Sequence, residues 1–178
     1  KKLCLVTNSP LFKLSFFLIG MLIGITGTIR AGKTELANWL VSEYGCKRLG
    51  FGDVVREEAE NRGIEIDRDN LQALGARLRE EEGIYVWVKR IVEQVLDGDY
   101  VIEGIRYIED INGLRKSFGE FYLLGIDAKQ DLRYERAVAL AELNGGGYLT
   151  WEEFLEQDRR DRIGIENGQE TDKCLKLA

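Results

Sequence analysis

Gly24-Ile25-Thr26-Gly27-Thr28-Ile29-Arg30-Ala31-Gly32-Lys33-Thr34 is the stretch that decides the fold. Ahead of the loop, Met21–Thr26 is a short apolar run closed by Gly27, the pattern of a buried strand. Behind it, Lys33–Tyr44 carries Leu36, Trp39 and Leu40 on one helical face and stops near Gly45. A strand that turns through glycines into a helix curls several backbone N–H groups toward one point, with the positive end of the helix dipole behind them. Gly27–Thr34 has the spacing G-x-x-x-x-G-K-[ST], and that point then suits a phosphate. Gly27, Thr28, Ile29, Arg30, Ala31 and Gly32 form the cradle. Lys33 is placed to reach the β- and γ-phosphates of ATP, and the Thr34 hydroxyl to hold Mg²⁺.

Composition narrows the chemistry further. The chain has 178 residues, 44% apolar and 31% charged, which suits one folded domain with a real core. Its net charge of −6 argues against a dedicated nucleic-acid partner, although a local arginine cluster can still bind a small anion. There is no histidine, which removes histidine bases and triads and nearly all catalytic zinc sites. Cys4, Cys46 and Cys174 have no paired spacing, so a reduced, cytoplasmic setting is expected. Lys1, Lys2 and the apolar run Leu14–Ile25 look superficially like a targeting segment. The run is too short for a membrane span of about 20 residues, and it feeds the glycine loop directly. Residues 1–20 are therefore expected to be a non-essential extension, with no membrane partner and the domain proper at 21–178.

Beyond residue 20, strands and helices alternate, which predicts an α/β fold with a parallel sheet. A second strand is expected at Lys47–Gly50 and a helix from about Asp53 to Asn61. Arg68–Glu82 and Ile84–Leu96 are amphipathic helices, the first carrying Leu71, Leu74, Gly75 and Leu78 on one face. Strands at Tyr100–Glu103 and Phe121–Ile126 alternate with helices at about Ile108–Lys116 and Lys129–Leu143. Thr150 and Glu153 have capping-box spacing at the start of Trp151–Arg160. The glycines before that helix are what a lid over about 143–164 needs, and equally what any surface helix after a flexible loop looks like.

Glu103 closes its strand beside the glycine loop, where an acid can order a Mg²⁺ shell together with Thr34. Arg106 follows at a spacing that suits a phosphate oxygen. Planar guanidinium forks match the charge spread in phosphoryl transfer, which makes Arg56, Arg77, Arg79, Arg133, Arg136, Arg159, Arg160 and Arg162 candidates. Arg133 and Arg136 share a helical face, and Arg159, Arg160 and Arg162 crowd the end of the lid segment. The preferred catalytic set is Lys33, Asp53, Arg106, Arg133 and Arg159, with Arg136 beside the nucleotide. Asp53 is either a helix N-cap or the group that orients or deprotonates an acceptor. Tyr85 and Trp87 are read as core.

Gly24–Thr34 resembles the phosphate loop of dephospho-CoA kinases, with Arg30-Ala31 in place of their small Gly-Ser pair. Phe51-Gly52-Asp53-Val54-Val55-Arg56 resembles the segment of nucleoside monophosphate kinases whose Arg meets the acceptor phosphate. Val101-Ile102-Glu103-Gly104-Ile105-Arg106 resembles their D-G-[FY]-P-R signature, with Glu for Asp and no proline. Arg68–Trp87, with Gln72, Gly75, Arg79 and Gly83, is similar to deoxynucleoside monophosphate kinases of phage type. From Met21 onward, including Arg133-Tyr134-Glu135-Arg136, the chain is similar to kinase-like P-loop domains, among them those preceding the deaminase in some deoxycytidylate-deaminase-like proteins. The resemblance implies a P-loop NTPase three-layer α/β/α sandwich with strand order 2-3-1-4-5, the fifth strand missing here. It also implies ATP with Mg²⁺ and a small nucleotide-like acceptor: a nucleoside or deoxynucleoside monophosphate, or dephospho-CoA. A nucleotide-binding regulatory domain is the alternative, and a monomer or weak dimer is expected.

Overall fold

The computed structural model describes residues 19–143, 145, 149–163 and 169–178. The first strand, β1, runs Ile19–Gly27 and leads through the glycine loop into α1, Lys33–Tyr44. Next come β2 (Lys47–Gly50), α2 (Phe51–Asn61), α3 (Arg68–Glu82) and α4 (Val86–Gln94). β3 (Gly98–Ile105), α5 (Ile108–Ser117), β4 (Phe121–Ile126) and α6 (Gln130–Leu143) continue the alternation. α7 (Trp151–Ile163) and the short α8 (Thr171–Leu175) follow. Four parallel strands form one sheet in the order β2-β3-β1-β4. That is the expected order as far as the fourth strand; no fifth strand occurs among the described residues.

The sheet's central strands carry long apolar runs because helices cover both of its faces. Ile23, Ile25 and Val101 pack on one side against Ala37 and Leu40 of α1, with Cys46. Leu22, Tyr100 and Ile102 pack on the other against α2, α4 and α5 through Phe51, Val54, Trp87, Ile91, Ile111 and Leu114. This two-sided burial makes the structure an α/β sandwich. Trp87, 1% exposed, is core as expected, and its Nε1 donates to the Gly75 carbonyl at 3.1 Å. Among the described residues no helix is long and apolar enough to cross a membrane.

Several boundaries differ from expectation: β3 runs Gly98–Ile105 rather than Tyr100–Glu103, and α4 Val86–Gln94 rather than Ile84–Leu96. β1 begins at Ile19, which pairs with Gly98, and the Met21 N–H donates to Asp99 Oδ1 at 2.6 Å. The strand thus takes two residues from the segment drawn as an extension; residues 1–18 lie outside the described residues. α2 begins at Phe51 rather than Asp53, because β2 feeds straight into it and Phe51 is drawn into the core. Its N-cap is Gly50, so Asp53 is not a cap. α7 extends to Ile163. Thr150 and Glu153 close its capping box, each backbone N–H taken by the other's side chain at 3.2 and 2.9 Å.

α7 is rooted by aromatic and ionic contacts. Tyr134 of α6 meets Trp151 at 4.9 Å and Phe154 at 5.5 Å between ring centroids. Arg133 of α6 and Asp158 of α7, each 1% exposed, form a buried bidentate pair. Removing one partner would leave a buried, uncompensated charge, which costs about 3–5 kcal/mol. Of the glycines expected to hinge this segment, Gly146 and Gly147 lie outside the described residues.

Candidate functional site

The glycine loop is shaped by backbone and held from behind. Gly27 has φ +154, and a Cβ on it would stand 2.1 Å from the Ile126 carbonyl oxygen, so no other residue fits there. Thr28 Oγ1 donates to Asp127 Oδ1 at 2.6 Å, tying the loop to the end of β4. From α6, Arg133 Nη1 donates to the Ile29 carbonyl at 3.3 Å, and Arg136 Nη1 to those of Arg30 and Ala31, both at 3.1 Å. The two arginines expected to face a phosphate thus grip the carbonyl side of the loop, which leaves its N–H groups for the other side.

Lys33 opens α1 and lies under the loop, its Nζ donating to the carbonyls of Gly27 and Thr28 at 2.9 and 2.7 Å. Burial lowers its pKa to about 8, with Arg106 adding to the effect while Asp161 and Glu103 oppose it. Thr34 Oγ1 lies 3.3 Å from Glu103 Oε2. A bulge delivers that carboxylate: Ile25 pairs with Glu103 and Thr26 with Ile105, so Gly104, at φ +82, is the extra residue. Glu103 also takes an ion pair from Arg48 of β2. Among the described residues no cluster of three or more Asp, Glu, His or Cys could hold a metal by itself. One hydroxyl and one carboxylate suit Mg²⁺, which usually keeps several waters and binds through one or two carboxylates together with substrate phosphates.

On the other side of Lys33 a cavity of about 720 Å³ opens between the loop, α2, α3, the end of β3 and α7. Lys33 and six arginines (Arg30, Arg56, Arg68, Arg79, Arg106 and Arg160) line it, against two carboxylates, Asp110 and Asp161. Ile29, Phe51, Val55, Leu71 and Trp87 supply an apolar wall. Both carboxylates are engaged. Arg79 binds Asp110 through both Nη atoms at 3.0 Å and lies over the Tyr107 ring at 4.0 Å. Asp161, 3% exposed, receives Arg68 on Oδ1 at 2.8 Å and Arg106 on Oδ2 at 3.0 Å. The surplus is cationic on a chain whose total is −6. In charge and lining, such a cavity suits a polyanion with an apolar part.

Lys33, Thr34, Glu103 and Arg106 therefore come together as expected from the sequence, with Arg136 and Arg133 behind the loop. Asp53 and Arg159 do not reach the cavity. Asp53 pairs with Arg56 at 2.5 Å, both half exposed, and Arg159 turns to Glu156 on its own helix. Arg160, one residue on, lines the cavity instead. Arg48, Arg68 and Asp161 were not anticipated. Asp161 had one signal available: it falls three residues after Asp158, on the same helical face, and both are buried.

A nucleotide-binding, P-loop kinase-like α/β domain is the class that this loop and this sheet define. The AAA domain family matches residues 26–139, more than half of the chain. A UPF0200 protein of Aeropyrum pernix is 31% identical over 149 residues, 83% of this chain and 76% of that protein. One of Methanocaldococcus jannaschii is 34% identical over 146 residues, 79% of this chain and 72% of that protein. The chain belongs to the AAA domain family and to the UPF0200 proteins. It is also 32% identical to a UPF0200/UPF0201 protein of Archaeoglobus fulgidus, spanning 44% of that longer chain. Among solved structures, a gluconokinase of Sinorhizobium meliloti aligns with TM-score 0.48 at 15% identity, covering 81% of this chain and 75% of that one.

Proposed function

We propose that the protein is an ATP-dependent phosphotransferase whose acceptor is a small nucleotide-like molecule that already carries a phosphate. The cavity beside Lys33 carries this reading: it is rich in arginine, and its two carboxylates, Asp110 and Asp161, are both committed to guanidinium groups. A hydroxyl acceptor needs a carboxylate free to take its proton. An ionised phosphate needs none, because it is already a nucleophile. A nucleoside or deoxynucleoside monophosphate is favoured over dephospho-CoA on that ground.

In the proposed step a phosphate oxygen of the acceptor forms a bond to the γ-phosphorus of ATP, and the bond from that phosphorus to the β–γ bridging oxygen breaks. The electron pair stays with ADP, and no proton moves. Lys33 and the N–H groups of the loop bind the transferring end, while Arg106 and Arg68 hold the acceptor's phosphate in line. Mg²⁺, held through Thr34 and Glu103, would neutralise charge on the β- and γ-oxygens.

The test is a panel in which ATP is offered with each nucleoside and deoxynucleoside monophosphate and with dephospho-CoA, scoring ADP and phosphorylated product. Turnover with at least one monophosphate is expected. Mg-ATP binding without product from any acceptor would sink the reading. It would also favour a regulatory nucleotide-binding domain, which the engagement of Glu103 by Arg48 independently motivates.

A further inference from the structure

The geometry points to Arg30 as a catalytic residue that spans the donor loop and the acceptor cavity and neutralises the phosphoryl group during its transfer. This deepens the proposed function and rests on it. Arg30 lies inside the phosphate loop, yet its side chain lines the cavity on the acceptor side of Lys33. Its backbone stands at φ +59, the single non-glycine residue with positive φ among the described residues. An L-residue adopts that conformation at a cost that glycine avoids. The conformation is held in place: Arg136 donates to the carbonyls of Arg30 and Ala31. Costly backbone that its surroundings enforce is characteristic of functional sites.

Charge gives the second line of argument. Among the cavity cations, Arg56, Arg68, Arg79, Arg106 and Arg160 each pair with a carboxylate, and Lys33 donates to loop carbonyls. The Arg30 guanidinium makes no hydrogen bond or ion pair with the described residues. Burial lowers its pKa, and Arg68 does so further, against a weaker pull from Glu35. An anion between the loop and Arg68 would relieve all of this. In the proposed step the negative charge collects there, on the equatorial oxygens of the phosphoryl group between ADP and the acceptor.

Arg30→Gly is the informative variant, because glycine accepts the loop's φ and the fold is kept. Against the monophosphate that wild type phosphorylates best, kcat should fall about 100-fold. The Kd for Mg-ADP and the acceptor KM should stay within about threefold. Arg30→Lys should restore part of kcat while leaving the other two constants alone. An unchanged kcat in Arg30→Gly would overturn the inference, as would a loss of Mg-ADP affinity equal to the loss of kcat. If wild type phosphorylates no acceptor at all, the functional reading fails and takes this role with it. An active wild type with an indifferent Arg30→Gly removes only the role of Arg30.

Discussion

The glycine loop and the cavity beside it, the donor and acceptor sides in the proposed function, are neighbours that share Lys33, but they are built by opposite means. The loop is one continuous stretch, Gly27–Thr34, whose shape comes from backbone conformation, and its supports grip backbone carbonyls. The cavity is assembled from side chains that span Ile29 to Gln169 in sequence, and its charges are arranged by one another. Asp161 is the clearest case, one buried carboxylate on α7 that orients Arg68 at the start of α3 and Arg106 just past β3. A backbone site tolerates change in its surroundings as long as its turn survives. A side-chain site depends on every member of its network.

Lys33 belongs to both regions, so its loss should have the largest effect. Lys33→Ala is expected to lower kcat/KM about 100-fold or more, with Mg-ATP affinity falling alongside in calorimetry. Affinity that matched wild type would break the assignment of Gly27–Thr34 as the donor site. Acidity sharpens the same point. Burial brings Lys33 down to about 8 in the free protein, and phosphate oxygens would raise it again in the complex. Binding therefore takes up a proton once the free protein has lost it. Mg-ATP affinity should be flat below pH 8 and decline above it, by at most about tenfold per pH unit. Lys33→Arg, which stays charged, should lack the decline.

Arg106→Ala separates the two sides. It removes one charged hydrogen bond on the acceptor side, worth about 2 kcal/mol or roughly 30-fold in acceptor KM. Mg-ADP affinity should be unaffected. An equal loss on both sides would mean that Arg106 serves the donor.

The contrast also explains what was legible in the sequence. Gly27–Thr34 could be read residue by residue because a backbone turn leaves its requirements in adjacent glycines. The parallel sheet followed from strands alternating with helices, and its order as far as β4 from the resemblance to P-loop kinases. Glu103 could be read because it sits near the end of a strand next to that loop, although β3 runs on to Ile105. The cavity could not be read in this way. Arg159 and Arg160 are equally plausible from spacing, and the pitch of α7 sends one to Glu156 and solvent and the other to the cavity. Arg68 gains its role only because β3 and α7 bring Arg106 and Asp161 to meet it. Arg133, expected from its spacing to act on a phosphate, is instead a buried strut: Asp158 pairs with its guanidinium, which donates to the Ile29 carbonyl behind the loop.

Asp53 gives the smallest expected effect and the finest discrimination. The sequence offered it as a base or an orienting group; in the structure it pairs with Arg56 outside the cavity lining. If the acceptor is an anionic phosphate, no base is required, and Asp53→Asn should leave kcat within about threefold of wild type. Arg56 would lose its exposed partner, a contact worth at most about 1 kcal/mol, and would keep its place in the cavity lining. A drop of about 100-fold in kcat would instead mark Asp53 as the base for a hydroxyl acceptor. The acceptor side would then have to rearrange on binding, because Asp53 would need to leave Arg56 and enter the cavity. The same outcome would move dephospho-CoA ahead of the monophosphates.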